Sequence, residues 1–168
     1  MFNKIKFAVA GSMIAAALAS TSAYAATETA DATVNVLGPI AITVDSALNF
    51  GTVAPGASGG TVAVGTGSNT AVCTGVACLP GTAQRGQFHI SAGMNGAVIN
   101  IAVNNVVDLT GAGAPMALTG LSMSDADGKI TYSSTTPEAV YVGGTLTVAA
   151  NQTPGVYTGH FDITADYQ

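Results

Sequence analysis

The chain has 168 residues and a formal net charge of −5, and only 8% of its residues are charged. Two of its four basic residues, Lys4 and Lys6, lie in the first six positions, which leaves Arg85 and Lys129 against nine acidic residues, a formal charge of −7, in the remainder. Such scarce positive charge excludes in practice a phosphate-binding surface, so nucleic acid is a poor candidate partner. Glycine, alanine, threonine and valine dominate, and strong helix formers are few, so the composition predicts an all-β domain.

Residues 1–25 have the features of a secretory signal peptide. The two lysines precede an apolar run over residues 7–18, and Ala23-Tyr24-Ala25 is the small-x-small pattern that signal peptidase recognises. The apolar run is too short to span a membrane, although an uncleaved anchor is the alternative interpretation. We expect cleavage after Ala25, export of the protein, and no membrane insertion of the mature chain.

Residues 26–37 alternate between apolar and polar side chains, as a strand with two different faces does. Nothing precedes this segment in the expected mature chain, so we interpret it as a free, extended arm. Gly38 and Pro39 then interrupt the pattern, and the folded domain is expected to span residues 38–168. The side chains on the apolar face of the arm are Ala30, Ala32, Val34 and Val36.

Short strands with turn signals between them follow every eight to twelve residues, a spacing typical of a β-sandwich. Asn95-Gly96 predicts a two-residue hairpin turn, and Gly143-Gly144 predicts a bulge. The predicted strands are residues 40–44, 48–53, 61–64, 86–92, 97–103, 106–109, 117–123, 130–133 and 139–148.

Cys73 and Cys78 are the two cysteines of the chain, and in an exported protein an even count predicts a disulfide. Closing so short a loop stabilises by about 2 kcal/mol, so the bond is expected to hold a loop in place. That loop is residues 65–81, a segment rich in glycine and threonine. A metal site would need further soft ligands at matching spacing, which the sequence lacks.

The chain ends on a long alternating segment, residues 155–168, with one apolar face and one polar face. No residues follow to form a neighbouring strand, so a free edge there would pair with another chain. The residues on the apolar face are Tyr157, Gly159, Phe161, Ile163, Ala165 and Tyr167.

Motifs near the two ends of the mature chain indicate a family. They are the arm with its Gly-Pro end, the motif Leu48-Asn49-Phe50-Gly51, and a terminal Pro-Gly-x-Tyr-x-Gly-x-Phe pattern that begins at Pro154 and runs to a penultimate tyrosine. This arrangement resembles the subunits of bacterial chaperone-usher pili. The arm is most similar to that of the major subunits of the enterotoxigenic colonisation-factor pili.

The resemblance implies an incomplete immunoglobulin-like β-sandwich that lacks its last strand. A periplasmic chaperone would fill the open groove first, gripping the carboxylate of Gln168, and an outer-membrane usher would then mediate its replacement by the arm of an identical subunit. Residues 155–167 would form one wall of the groove and residues 40–44 the other. The implied location is the surface of a Gram-negative bacterium, in a fimbria that serves adhesion or biofilm formation. The closely spaced cysteines depart from the family, in which many disulfides bridge distant strands.

Residue patterns typical of catalysis are not found, so we expect neither an enzyme nor a bound cofactor. His89 and His160 are expected to be solvated or lightly hydrogen bonded, and no serine lies in a Gly-x-Ser-x-Gly elbow. The segment 125–128 begins like a calcium loop but lacks the remaining oxygen ligands, so a hairpin turn at Asp127-Gly128 explains it better.

A second interpretation of the arm remains open. The arm could fold back and complete its own sheet, which would give a closed monomer instead of a polymer. The protein would then be a secreted binding domain that contacts a ligand through its loops, with residues 65–81 as the candidate contact surface.

Overall fold

A computed structural model describes residues 26–168, so the predicted signal peptide lies outside the described residues. The described chain falls into two units, residues 26–35 and residues 36–168. Residues 26–35 contain no regular secondary structure, and all of them are exposed.

Residues 36–168 form an all-β domain, and the prediction of fold class is confirmed. The domain contains eleven strands and, within the described chain, no helix. The strands are β1 (Ala41–Ser46), β2 (Val53–Ala54), β3 (Gly60–Val64), β4 (Ala71–Thr74), β5 (Ala77–Cys78), β6 (Gly86–Ala92), β7 (Val98–Thr110), β8 (Leu118–Met123), β9 (Lys129–Thr131), β10 (Ala139–Val148) and β11 (Thr158–Tyr167).

Two antiparallel sheets make up most of the domain. The first follows the order β1-β6-β10-β3-β4, with β8 also paired to β10, and the second follows the order β11-β7-β9. A small additional sheet pairs β2 with β5. Alternating side chains give each large sheet one apolar face, and the two sheets bury these faces against each other, as in a β-sandwich.

The core consists of two clusters of apolar side chains. In the first, Phe88 and Val140 of the six-stranded sheet pack with Ile99 and Ile130 of the three-stranded sheet, and none of the four is more than 4% exposed. The second cluster includes Phe50 and lies around the paired strands β3, β8 and β10. Its buried members are Phe50, Val62, Val64, Met116, Leu118, Leu146 and Val148.

Strands β6 and β10 have the boundaries that the alternating pattern predicts. The predicted bulge is confirmed, because the register between β10 and β8 shifts between Gly143 and Thr145. A Cβ atom at Gly143 would collide with the carbonyl oxygen of Val64, so the close approach of β3 requires glycine there.

Two predicted hairpins are wrong. β6 and β7 flank Asn95-Gly96 but belong to different sheets, and so do β8 and β9 on either side of Asp127-Gly128. The Ala97 N–H donates to the Met94 carbonyl, and of the two central residues only Gly96 has a positive φ, of 81°. A type I′ hairpin turn needs positive φ at both residues, so this turn instead carries the chain from one sheet to the other.

Three other predicted segments differ from the structure. Residues 65–81 are not a plain loop, because they contain β4 and β5. Residues 97–103 and 106–109 belong to one long strand, β7, which continues through Asn105 at a φ of 48°. Residues 48–53 form only the bridge between Asn49 and Gln84 before β2 begins, because Gly51 at a φ of 80° breaks the extended backbone.

Candidate functional site: an open groove between two strand edges

Each large sheet ends in a strand that has only one neighbour. β1 pairs with β6 and β11 pairs with β7, and neither has a second partner within the described chain. Both strands line a common cavity, to which β1 contributes Val44 and β11 contributes Phe161 and Ile163. Two free edges therefore face each other where a further strand would join the sheets.

The backbone of β11 presents its hydrogen-bonding groups to this opening. The Gln168 N–H donates to the Val98 carbonyl at 3.0 Å, so even-numbered residues of the regular part of β11 bond to β7. The Ile101 N–H donates instead to the Gly128 carbonyl, on the far side of β7. Ile163, Ala165 and Tyr167 therefore direct their N–H and C=O groups away from β7, toward the free edge.

The side chains of β11 alternate as the sequence predicts, but their inner face is only partly covered. Phe161, Ile163, Ala165 and Tyr167 are partly buried, as is Tyr157 just before the strand. The polar residues between them are exposed, and so is the predicted wall residue Gly159. On the neighbouring strand β7, by comparison, Ile99 is fully buried. The inner face of β11 therefore retains apolar surface that a further strand would cover.

A cavity of about 250 Å³ lies between β1 and β11, and one of about 750 Å³ lies beyond the end of β1, between residues 47–55 and the start of β11. They share the lining residues Ala47, Leu48, Gly159 and Phe161, so they are adjacent, and we call them together the groove. The larger cavity lies at the end where β11 begins, and its lining is mainly apolar. Its large apolar residues include Leu48, Phe50, Leu109, Met116, Leu118, Leu146 and Phe161.

Gln152 is the one buried polar side chain in the lining of the larger cavity, and it is 8% exposed. Its Nε2 donates to the Ala114 carbonyl at 2.6 Å. Its Oε1 is buried and has no hydrogen-bond partner. The sequence contained no signal for this residue, since it follows β10 in a turn where no pattern predicts burial.

Tyr167 fixes the start of the folded domain to the end of β11. Its hydroxyl donates to the Gly38 carbonyl and accepts from the Met94 N–H, each at 2.9 Å. Gly38 directly follows the predicted arm, so the arm joins the domain beside the end of β11. That end lies opposite the larger cavity.

The predicted arm carries its apolar side chains in solvent. Ala30, Ala32, Val34 and Val36 are all exposed, and the exposed fractions of the two valines are 86% and 82%. Exposed valines that alternate with polar residues leave an apolar stripe available for burial.

The predicted disulfide between Cys73 and Cys78 is present, with Cα atoms 6.1 Å apart. It joins β4 at the edge of the six-stranded sheet to β5 of the small sheet. Cys78 is also the β5 partner of Val53, which lines the larger cavity. The disulfide therefore connects the main sheet to one side of the groove, a role that the spacing of the cysteines did not reveal.

The other polar candidates lie apart from one another. His89 Nδ1 lies 2.9 Å from Asp45 Oδ2 on the partly exposed surface of β1 and β6, while His160 is exposed on β11. Gln168 is exposed at the end of the chain. Across residues 26–168 no three histidine, cysteine or acidic side chains cluster as metal ligands would. The same residues include no helix with the length and apolarity of a membrane span.

In a comparison with known families the chain matches the family described as Domain of unknown function (DUF4402) over residues 40–167. The match begins just after Pro39 and ends with β11, so it covers the sandwich and stops short of the arm. Comparisons with curated proteins and with solved structures gave no significant match. Because the family match spans more than half of the chain, the protein belongs to the DUF4402 family.

Proposed function

We propose that this protein is a structural pilin subunit that polymerises into a surface fimbria by inserting its arm, residues 26–37, into the groove of the next copy. The observation that carries the proposal is the groove itself, which is apolar within and open between two unpaired strand edges. An added strand there would bond to β1 on one side and to β11 on the other. Such strand addition is a recurring mode of protein recognition.

The arm is chemically suited to the groove. Alternation gives it a face of alanines and valines that would cover the partly buried side chains of β11, while its polar face would remain in solvent. Burial contributes about 1.5–3 kcal/mol for each of Val34 and Val36. The strands that form the walls are already folded, so the ordering cost of association falls mainly on the arm.

The position of the arm's junction with the domain favours donation over folding back. A tight reversal at Gly38-Pro39 would send the arm antiparallel to β1 and therefore parallel to β11. Phe161 lies six residues before Tyr167, and Thr158 lies nine before it. Counting back six and nine residues from Gly38 reaches Ala32 and Thr29, so Ala30 and Ala32 would lie over the larger cavity, which small side chains fill poorly.

An arm from a second copy is free of that constraint. It can run antiparallel to β11, which places its larger side chains, Val34 and Val36, over the larger cavity and the alanines toward the narrower end. The gradient of side-chain size along the arm then follows the gradient of cavity size along the groove. This match supports exchange between copies.

Repeated donation of this kind makes a filament. Each copy gives an arm to one neighbour and receives one from another, so the contacts are head-to-tail and do not close. An empty groove exposes an edge that aggregates, so a periplasmic chaperone and an outer-membrane usher would handle the subunit until assembly. The role is structural and not catalytic, and it would serve adhesion or biofilm formation at the cell surface.

The experiment is a pair of single substitutions in the full chain, expressed with its leader in a host that assembles the filament. Val34→Asp places a carboxylate on the apolar face of the arm, and Thr33→Asp places the same charge on its polar face. Losing the valine and burying an unpaired charge should weaken each joint by at least about 3 kcal/mol, or roughly a hundredfold. We expect filaments from wild type and Thr33→Asp in electron micrographs, and monomers from Val34→Asp.

Intact filaments from Val34→Asp would contradict the proposal. A wild-type protein that elutes as a monomer on size exclusion, with its arm protected from proteolysis, would instead indicate the self-complemented binding domain.

A further inference from the structure

A residue in the lining of the larger cavity carries a polar atom that the apolar character of the groove does not explain. Gln152 is more than nine-tenths buried in its lining, and its Oε1 has no hydrogen-bond partner. Buried carbonyl oxygens in folded proteins almost always accept a hydrogen bond. An unpartnered one in the wall of a binding groove indicates that the occupant supplies the missing donor.

The orientation of the side-chain amide is set by its surroundings. Nε2 donates to the Ala114 carbonyl at 2.6 Å, and the reversed amide would bring two carbonyl oxygens together. The atom that remains without a partner is therefore an acceptor. Its complement is an N–H or O–H group.

We infer that Gln152 is a register-determining residue of the groove, whose Oε1 accepts a hydrogen bond from the inserted arm. The inference rests on the proposed function, because it takes the arm of a second copy as the occupant. With the arm antiparallel to β11, the donor is a backbone N–H in the second half of residues 26–37. Oε1 is itself buried, so the hydrogen bond requires the amide to rotate about its terminal bond, a torsion with a broad minimum, when the arm enters.

This hydrogen bond adds a property that apolar contacts lack. Alanines and valines repeat every two residues along the arm, so a shift by two residues keeps an apolar face on the groove. A hydrogen bond to one buried acceptor is lost by the same shift. Gln152 therefore favours one register of the arm over its near neighbours.

The test uses the full chain with Val34→Asp, so that its own arm does not compete, and a labelled synthetic peptide with the sequence of residues 26–37. The peptide is N-methylated at one backbone position at a time, and Thr33→Val serves as a control on its polar face. Each peptide is titrated into this receptor and into a matched receptor that also carries Gln152→Met. Gln152→Leu replaces the methionine variant if the latter does not fold.

We expect one modification in the second half of the peptide to weaken binding about tenfold more for the receptor that retains Gln152 than for the receptor with Gln152→Met. Modification at every other position should lower the affinity by the same factor for both receptors, because it affects only the hydrogen bonds between strands. If every modification weakened binding by the same factor for both receptors, the role of Gln152 would be overturned while strand insertion would stand. Failure of the unmodified peptide to bind either receptor would instead overturn the proposed function.

Discussion

Replacing Ile163 by alanine should weaken insertion of the arm more than it weakens the fold. Ile163 lies on β11 and lines the groove, where it is only partly buried. Part of its side chain is therefore already in solvent in the empty subunit, and that part becomes buried when a strand covers it. A large share of the free energy lost on substitution should therefore appear as weaker binding of the arm.

The size of the effect follows from the two degrees of burial. Truncating a fully buried isoleucine to alanine costs about 2–5 kcal/mol. In the empty groove we expect a cost of about 1–2 kcal/mol, because solvent already contacts the side chain. The difference, about 2 kcal/mol, should appear as a roughly 30-fold weaker affinity for the arm.

Ile99 provides the matched control, because it has the same side chain in the same sheet. It is fully buried on β7 and lines neither cavity. Ile99→Ala should lower the free energy of unfolding by about 2–5 kcal/mol and leave the affinity for the arm unchanged. Ile99→Val, which costs about 0.5–1.5 kcal/mol, serves if the alanine variant does not fold.

The assay combines urea denaturation of each full-length variant, carried on the Val34→Asp background, with titration of the labelled arm peptide. Stability should fall more for Ile99→Ala, and affinity should fall only for Ile163→Ala. An unchanged affinity for Ile163→Ala would refute the reasoning that the arm covers β11.

Two further predictions concern the groove's supports. Replacing Cys73 and Cys78 by serine should lower the free energy of unfolding by about 2 kcal/mol. It should also weaken arm binding, because Val53 pairs with Cys78 and Cys78 is no longer held by the disulfide. Unchanged binding would show that the disulfide does not support the groove. Tyr167→Phe removes two hydrogen bonds and should lower the free energy of unfolding in urea by about 1–3 kcal/mol. Tyr157→Phe removes one hydrogen bond and should cost half as much. Equal costs would contradict the anchoring of the arm's junction by Tyr167.

Much of the fold follows from local alternation of side chains. β6 and β10 were predicted to the residue, since their inward positions are filled by residues such as Phe88, Ile90 and Val142 that bury fully. The apolar face of β11 was predicted for the same reason. In these strands the period of the sequence and the geometry of the sheet agree.

Sheet membership was not predictable in this way. The Asn95-Gly96 signal specifies a turn but not whether that turn forms a hairpin or crosses to the opposite sheet, and packing of the apolar faces decides between the two. The glycine- and threonine-rich segment around Cys73 has the composition of a loop, yet it pairs with β3 because the adjacent edge is free. Local composition carries no information about an unpaired edge elsewhere in the chain.

The candidate site was predictable only in part. Alternation identified the inward residues of β11 and the apolar face of the arm. It did not show that β1 and β11 would end their sheets opposite each other, because that depends on pairing between distant segments. Gln152 was missed altogether, since its hydrogen-bond partner Ala114 is distant in sequence and no repeating pattern predicts its burial.

The most direct measurement is an experimental structure of the filament, determined by electron cryo-microscopy at a resolution that shows side chains. Our account predicts a strand formed by residues 26–37 of one copy between β1 and β11 of the next, antiparallel to β11. Val34 and Val36 should lie over the larger cavity. A groove filled by the arm of the same copy, or copies joined through other surfaces with the groove left open, would contradict it.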